Sequence, residues 1–207
     1  MADNEASGFP LIASWNEPGA SPASPAYGPM IDALREFLDR VAASKPDEAT
    51  LNALTSDLSA WSARLAPLAV PEREQLFARR LDLPGRGQTM APCLRVLDGD
   101  AQSVRGSVTF GRYFLGGGGA VHGGAIPLLF DEVLGRLAST GGRSRARTAY
   151  LHTDFRSITP VGVELTVTAK FVSEAGRKRL LRGELRHGDT LCAEAEGLFV
   201  ALRPGQP

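Results

Sequence analysis

Neither sign of charge predominates in this chain: 23 Lys and Arg stand against 23 Asp and Glu, for a formal net charge of zero. A surface that holds nucleic acid or anionic lipid by general attraction needs a basic excess, so the balance argues against both as partners. Long hydrophobic runs are missing too, and no stretch approaches the roughly 18 apolar residues of a membrane-spanning helix. The opening Met1-Ala2-Asp3-Asn4-Glu5 is polar and acidic, unlike a signal peptide. The expectation is a cytoplasmic protein without a membrane partner. Cysteine is scarce: Cys93 and Cys192 stand alone, without a CxxC pair or a histidine at zinc spacing. That excludes a disulfide framework and predicts two buried thiols and no metal site.

What is present divides the 207 residues into three parts. Residues 1–28 carry Pro10, Pro18, Pro22 and Pro25 among Gly, Ser and Ala, the composition of a disordered or loosely docked arm, with Trp15 and Tyr27 as candidate anchors to the body. Residues 29–89 form a helical extension. Ile31, Leu34, Leu38 and Val41 repeat at helical spacing, as do Leu51, Leu54, Leu58, Trp61 and Leu65, and the short connection predicts an antiparallel hairpin followed by a short helical piece over 72–80. Residues 90–207 change to a period of two. Strands are predicted at 94–97, 103–110, 147–158, 164–173, 180–186 and 190–202, the last two joined by the His187-Gly188-Asp189 turn.

Between the second and third strands lies the stretch that organises the rest. Gly116-Gly117-Gly118-Gly119 predicts an irregular loop. Val121-His122-Gly123-Gly124 then leads into a helix from Ala125 to about Ser139, with Pro127 in its first turn. That helix is apolar nearly all round, so an antiparallel sheet must wrap it, giving an α+β fold. Only Asp131 and Glu132 interrupt its apolar surface before Arg136. An acid there is either held by a structural partner or used in a cleft. Glu132, about 100° around the helix, reads as a solvent or interface contact.

This order, with Phe110-Gly111, Phe114 to Gly116, Val121-His122-Gly123-Gly124, Asp131 nine residues past the histidine, and Phe155 to Gly162, resembles the hotdog-fold acyl-CoA thioesterases. The similarity is to the branch containing the phenylacetyl-CoA-pathway thioesterases, and it covers residues 90–203. It implies hydrolysis of an acyl-CoA without a cofactor, CoA entering only as part of the substrate. It implies Asp131 as general base or nucleophile, the Gly123 N–H as oxyanion donor and His122 as the group that orients the carbonyl, with Gly124 beside them. Two positions depart from the family: Gly116 stands where some members have Asn, and Tyr150 where many have Ser or Thr, with Thr148 and Thr153 close by. Arg177 and Lys178 fall where members place basic residues for the nucleotide phosphates.

Helix geometry adds a constraint of its own. Nine residues rise about 13 Å and turn about 2.5 times, so one helix cannot bring His122 and Asp131 to a single carbon. If both act, they belong to different subunits across a two-fold axis, which requires a homo-oligomer: a dimer at minimum, or a dimer of dimers. The competing reading is a non-catalytic acyl-CoA-binding or regulatory protein on the same fold. His152, on a strand face with Asp154 and Arg156, reads as an interface cluster, and His122 either holds its loop or touches substrate.

Overall fold

The computed structural model describes residues 24–206. The arm expected over 1–28 falls almost wholly outside them, Trp15 included. Helix α1 (Tyr27–Ala43) and helix α2 (Glu48–Leu65) precede strands β1 (Leu94–Gly99) and β2 (Ser103–Thr109). A two-stranded ribbon, β3 (Leu115–Gly117) and β4 (Ala120–Val121), leads to helix α3 (Ala125–Ala138). Strands β5 (Ala146–Phe155), β6 (Glu164–Ala175), β7 (Lys178–His187) and β8 (Thr190–Ala201) complete the chain. The main sheet runs β1-β2-β6-β7-β8-β5, every pair antiparallel, so β1 and β5 are its edges. Helix α3 packs on β5, β6, β7 and β8, and the whole is the hotdog arrangement of α+β class.

The period-two pattern explains the packing. Leu165, Val167 and Ala169 of β6 and Leu181 and Leu185 of β7 turn inward against Leu129, Phe130, Val133, Leu134 and Leu137 of α3. Phe130 is completely buried at the centre, and its truncation to alanine costs about 3–5 kcal/mol. Leu128 and Asp131, one turn apart, face outward, so the helix is covered on most sides but not all.

The tetraglycine segment is more regular than its composition suggests. Gly116 and Gly117 belong to β3, and a Cβ at Gly116 would lie 2.8 Å from the His122 Cα. The ribbon closes because position 116 has no side chain. Asparagine cannot occupy it without moving His122.

The extension is not a closed hairpin. Helix α1 docks on the main domain: the Asp39 carboxylate accepts from the Tyr113 N–H at 2.9 Å and fills the space beside Gly111, where any side chain would overlap it. Helix α2 has no buried residue, and Leu51, Leu58, Trp61 and Leu65 are all exposed. Residues 72–80 contain only a single 3-10 turn, Glu72–Glu74, in place of the short helix.

The chain re-enters the domain through an unusual turn. Gly85, Arg86 and Gly87 all have left-handed backbones, with Arg86 at φ 60. For a non-glycine residue this conformation needs support from its surroundings. The Arg35 guanidinium of α1 donates to Pro84 O and Gln88 O, each at 2.8 Å, and the Tyr27 hydroxyl to Gly87 O at 3.1 Å. Buried Gln88 accepts from the Met90 and Ala91 amides.

Candidate active site

Asp131 projects from the middle of α3 into an open groove of about 1220 Å³. One wall is the 139–148 segment that ends α3 and begins β5; the other is the 73–86 segment of the extension. The carboxylate is exposed, and its Oδ1 accepts from the Thr148 hydroxyl at 2.8 Å. A β-bulge makes that contact possible. Register shifts between Thr148 and Tyr150, so Thr148 reaches the helix while Leu151, three residues on, still packs against the core. Tyr150, at the position where many family members carry Ser or Thr, instead donates to Glu196 at 3.1 Å.

Glu132 is not a solvent contact. It is buried, with Oε2 at 2.6 Å from an Arg86 guanidinium nitrogen and Oε1 at 3.8 Å from one of Arg136. Burial pushes the Arg136 guanidinium down to about 10, against the pull of Glu132, which raises it. The supported turn at 84–88 thus fixes the arginine that neutralises the carboxylate next to Asp131. Seven arginines and three carboxylates line the groove altogether.

The other expected groups lie at the opposite end of α3. The His122 N–H donates to Phe114 O at 2.7 Å, and the Val121 N–H to Thr159 O at 2.8 Å, fixing the entry to the helix. The His122 ring accepts at Nδ1 from the Gly124 N–H at 3.0 Å. An Nδ1 that accepts corresponds to the imidazole tautomer with its N–H at Nε2. With the Gly124 amide engaged, the Gly123 amide stays exposed and has no acceptor among the described residues. It stands at the positive end of the α3 dipole, beside the Phe155 ring.

The remaining expectations fall elsewhere. The Arg177 guanidinium donates to Ala201 O at 3.0 Å, and neither it nor Lys178 lines the groove. His152, Asp154 and Arg156 sit on the outer face of the sheet, where Asp154 and Glu194 hold Arg156. Cys192 is buried; Cys93 is half-buried, and burial raises its thiol pKa. Among the described residues, no group of three or more His, Cys, Asp or Glu is placed to hold a metal, and no helix is long and apolar enough to cross a membrane. Sequence reasoning misses the groove's arginines, although Arg143-Ser144-Arg145-Ala146-Arg147 is a visible signal at the end of the central helix.

Residues 118–194 match the thioesterase superfamily model. Bovine (Bos taurus) acyl-coenzyme A thioesterase THEM4 is 35% identical over 96 residues, 45% of this chain and 39% of the relative. The match thus spans about two fifths of that curated relative's length. The fold is shared with a Streptococcus mutans protein solved with acetyl CoA bound: TM-score 0.50, 15% identity, 53% of this chain and 88% of that one. A crystal structure described as a thioesterase superfamily protein superposes with a TM-score of 0.73 at 32% identity, covering 87% of this chain and 97% of the other. At that identity over nearly the whole of a solved relative, the chain belongs to the thioesterase superfamily.

Proposed function

We propose that the chain hydrolyses acyl-CoA thioesters to the free acid and CoA, as a homodimer whose sites each draw on both protomers. Asp131 takes a proton from water, and the hydroxide attacks the thioester carbonyl carbon. The Gly123 N–H of the partner subunit receives the oxyanion of the tetrahedral intermediate. Collapse breaks the C–S bond, and the sulfur leaves with the proton that Asp131 held. The reaction so written uses water and the protein's own groups. CoA as the carrier rests on the likeness to bovine THEM4.

The observation that carries this reading is how α3 lies along the free edge of the sheet. Gly123 and Asp131 are eight residues apart, about 12 Å along the axis, so one helix cannot place both at one carbon. Strand β5 lies alongside, with Thr148 touching Asp131 and Phe155 next to Gly123. A ten-residue edge strand offers unpaired backbone groups to a second copy. Antiparallel pairing of β5 with its two-fold mate, centred between Leu151 and His152, sets Thr148 opposite the partner subunit's Phe155. Each Asp131 then faces the partner subunit's Gly123 amide. The half-exposed Phe155 and the exposed Ile158 supply apolar surface at that seam.

Thiol release from a panel of acyl-CoA esters tests the proposal. We expect turnover in the wild type and at least about a 100-fold loss in Asp131→Ala and Asp131→Asn. Binding of acyl-CoA without turnover would instead identify a non-catalytic binder. Turnover that survives both substitutions would remove Asp131 from the chemistry.

A further inference from the structure

The groove around Asp131 carries far more positive charge than its one exposed catalytic carboxylate requires. Arg86 and Arg136 are accounted for by buried Glu132, and Arg143 is held by Glu174 at 2.9 Å. Arg145 and Arg147 are different: both are exposed, and neither guanidinium has a carboxylate partner among the described residues. Across the groove, the extension offers Arg73 and Arg79, whose ion pairs with Glu74 and Glu72 are exposed surface contacts. Such pairs are weakly held and open readily to a stronger anion. In a chain of zero net charge, four available guanidiniums in one groove are a local concentration of charge, and guanidinium forks match phosphate oxygens.

We infer that Arg145 and Arg147 on one wall, with Arg73 and Arg79 of the extension on the other, bind the phosphates of the substrate's nucleotide end, so that the 69–88 segment selects the carrier. The inference rests on the thioesterase reading for the identity of the anion. It moves the phosphate contacts away from Arg177 and Lys178, which lie outside the groove. It also gives the extension a role in binding. The turn at 84–88 latches the segment to α3 through Arg86 and Glu132, and that latch holds Arg73 and Arg79 over the groove.

The test compares acyl-CoA with the same acyl group on pantetheine, which lacks every phosphate. The preference is the ratio of kcat/KM for the two esters. It falls by roughly tenfold or more in Arg145→Ala/Arg147→Ala and in Arg73→Ala/Arg79→Ala, through KM for the CoA ester. Added salt weakens the wild-type preference in the same direction. Adenosine 3′,5′-bisphosphate competes with acyl-CoA in the wild type and not in the groove variants. A preference that stays unchanged in both groove pairs, or that falls only in Arg177→Ala/Lys178→Ala, overturns the inference and leaves thioester hydrolysis intact. If neither ester is hydrolysed, the thioesterase reading fails, and calorimetry with adenosine 3′,5′-bisphosphate decides separately. Binding lost in the groove variants supports the phosphate site, and no binding to the wild type overturns it.

Discussion

Thr148 Oγ1 lies 2.8 Å from Asp131 Oδ1 and donates to it, tying the free edge of the sheet to the central helix. One carboxylate oxygen is thereby held, and the other is left to the groove. A hydrogen bond to a charged group contributes about 1.5–3 kcal/mol. We expect Thr148→Val to lower kcat by about 10- to 100-fold and Thr148→Ser to keep most of it. Steady-state kinetics on one acyl-CoA, with circular dichroism to check folding, measures both. Equal loss in the two variants would mean that the hydroxyl has no part in holding the acid.

Arg86 and Glu132 form the one ion pair that joins the extension to α3 among the described residues. Removing Arg86 leaves a buried carboxylate with only the more distant Arg136. Losing one partner of a buried pair costs about 3–5 kcal/mol when both are fully buried, but the Arg86 side chain is 32% exposed. We therefore expect Arg86→Ala to destabilise by about 2–3 kcal/mol. Adding Glu132→Gln to Arg86→Ala should recover much of that, since no unpaired charge stays buried. Urea denaturation of the four members of the cycle reads the coupling.

Acid should loosen the C-terminal end of α3. Hydrogen bonds from Arg143 and then Arg179 hold the Glu174 carboxyl below its ordinary value of 4.5. Arg179 in turn donates to Ala138 O at the end of the helix and to Ser144 O. Because the folded pKa is depressed, the unfolded chain takes up the proton first as pH falls. The contribution is complete above the unfolded value and disappears as pH drops through the folded one. Between about pH 5 and 3, the wild-type urea midpoint should fall more steeply than that of Glu174→Gln. The variant should start lower at neutral pH. Parallel curves would show that Glu174 is not part of the acid transition.

Much of the architecture is legible in the sequence because its signals are local. Alternation in β2 and β6, and the all-round apolar surface of α3, each require only one segment to be read. What escapes depends on distant or irregular geometry. Strict alternation along 147–158 puts Thr148 on the face opposite Leu151, and only the bulge near Ala149 brings both to the helix side. Glu132 reads as solvent-facing because its partner is 46 residues away, on a left-handed turn that α1 must brace. Tetraglycine reads as loop, yet the close approach of β3 to His122 is what requires Gly116. The leucine stripe of α2 reads as packing, and no residue of that helix is buried within the chain.

The same contrast holds at the site. Asp131 and the glycines opening α3 are visible as residue types at a spacing, and helix arithmetic alone separates them. The engagement of the Gly124 amide by His122 Nδ1, which leaves Gly123 as the free donor, requires the folded loop.

Mixing two variants that the proposal makes inactive tests the shared site most directly. Asp131→Ala lacks the proposed base, and Gly123→Pro lacks the amide proton of the proposed oxyanion donor. When the two proteins are unfolded together and refolded as heterodimers, one site in each dimer regains both groups and the other loses both. We predict that such heterodimers recover about half of the wild-type kcat per dimer, from two parents that are each at least about 100-fold impaired. Heterodimers as inactive as their parents would contradict a site built from Asp131 of one protomer and Gly123 of its partner.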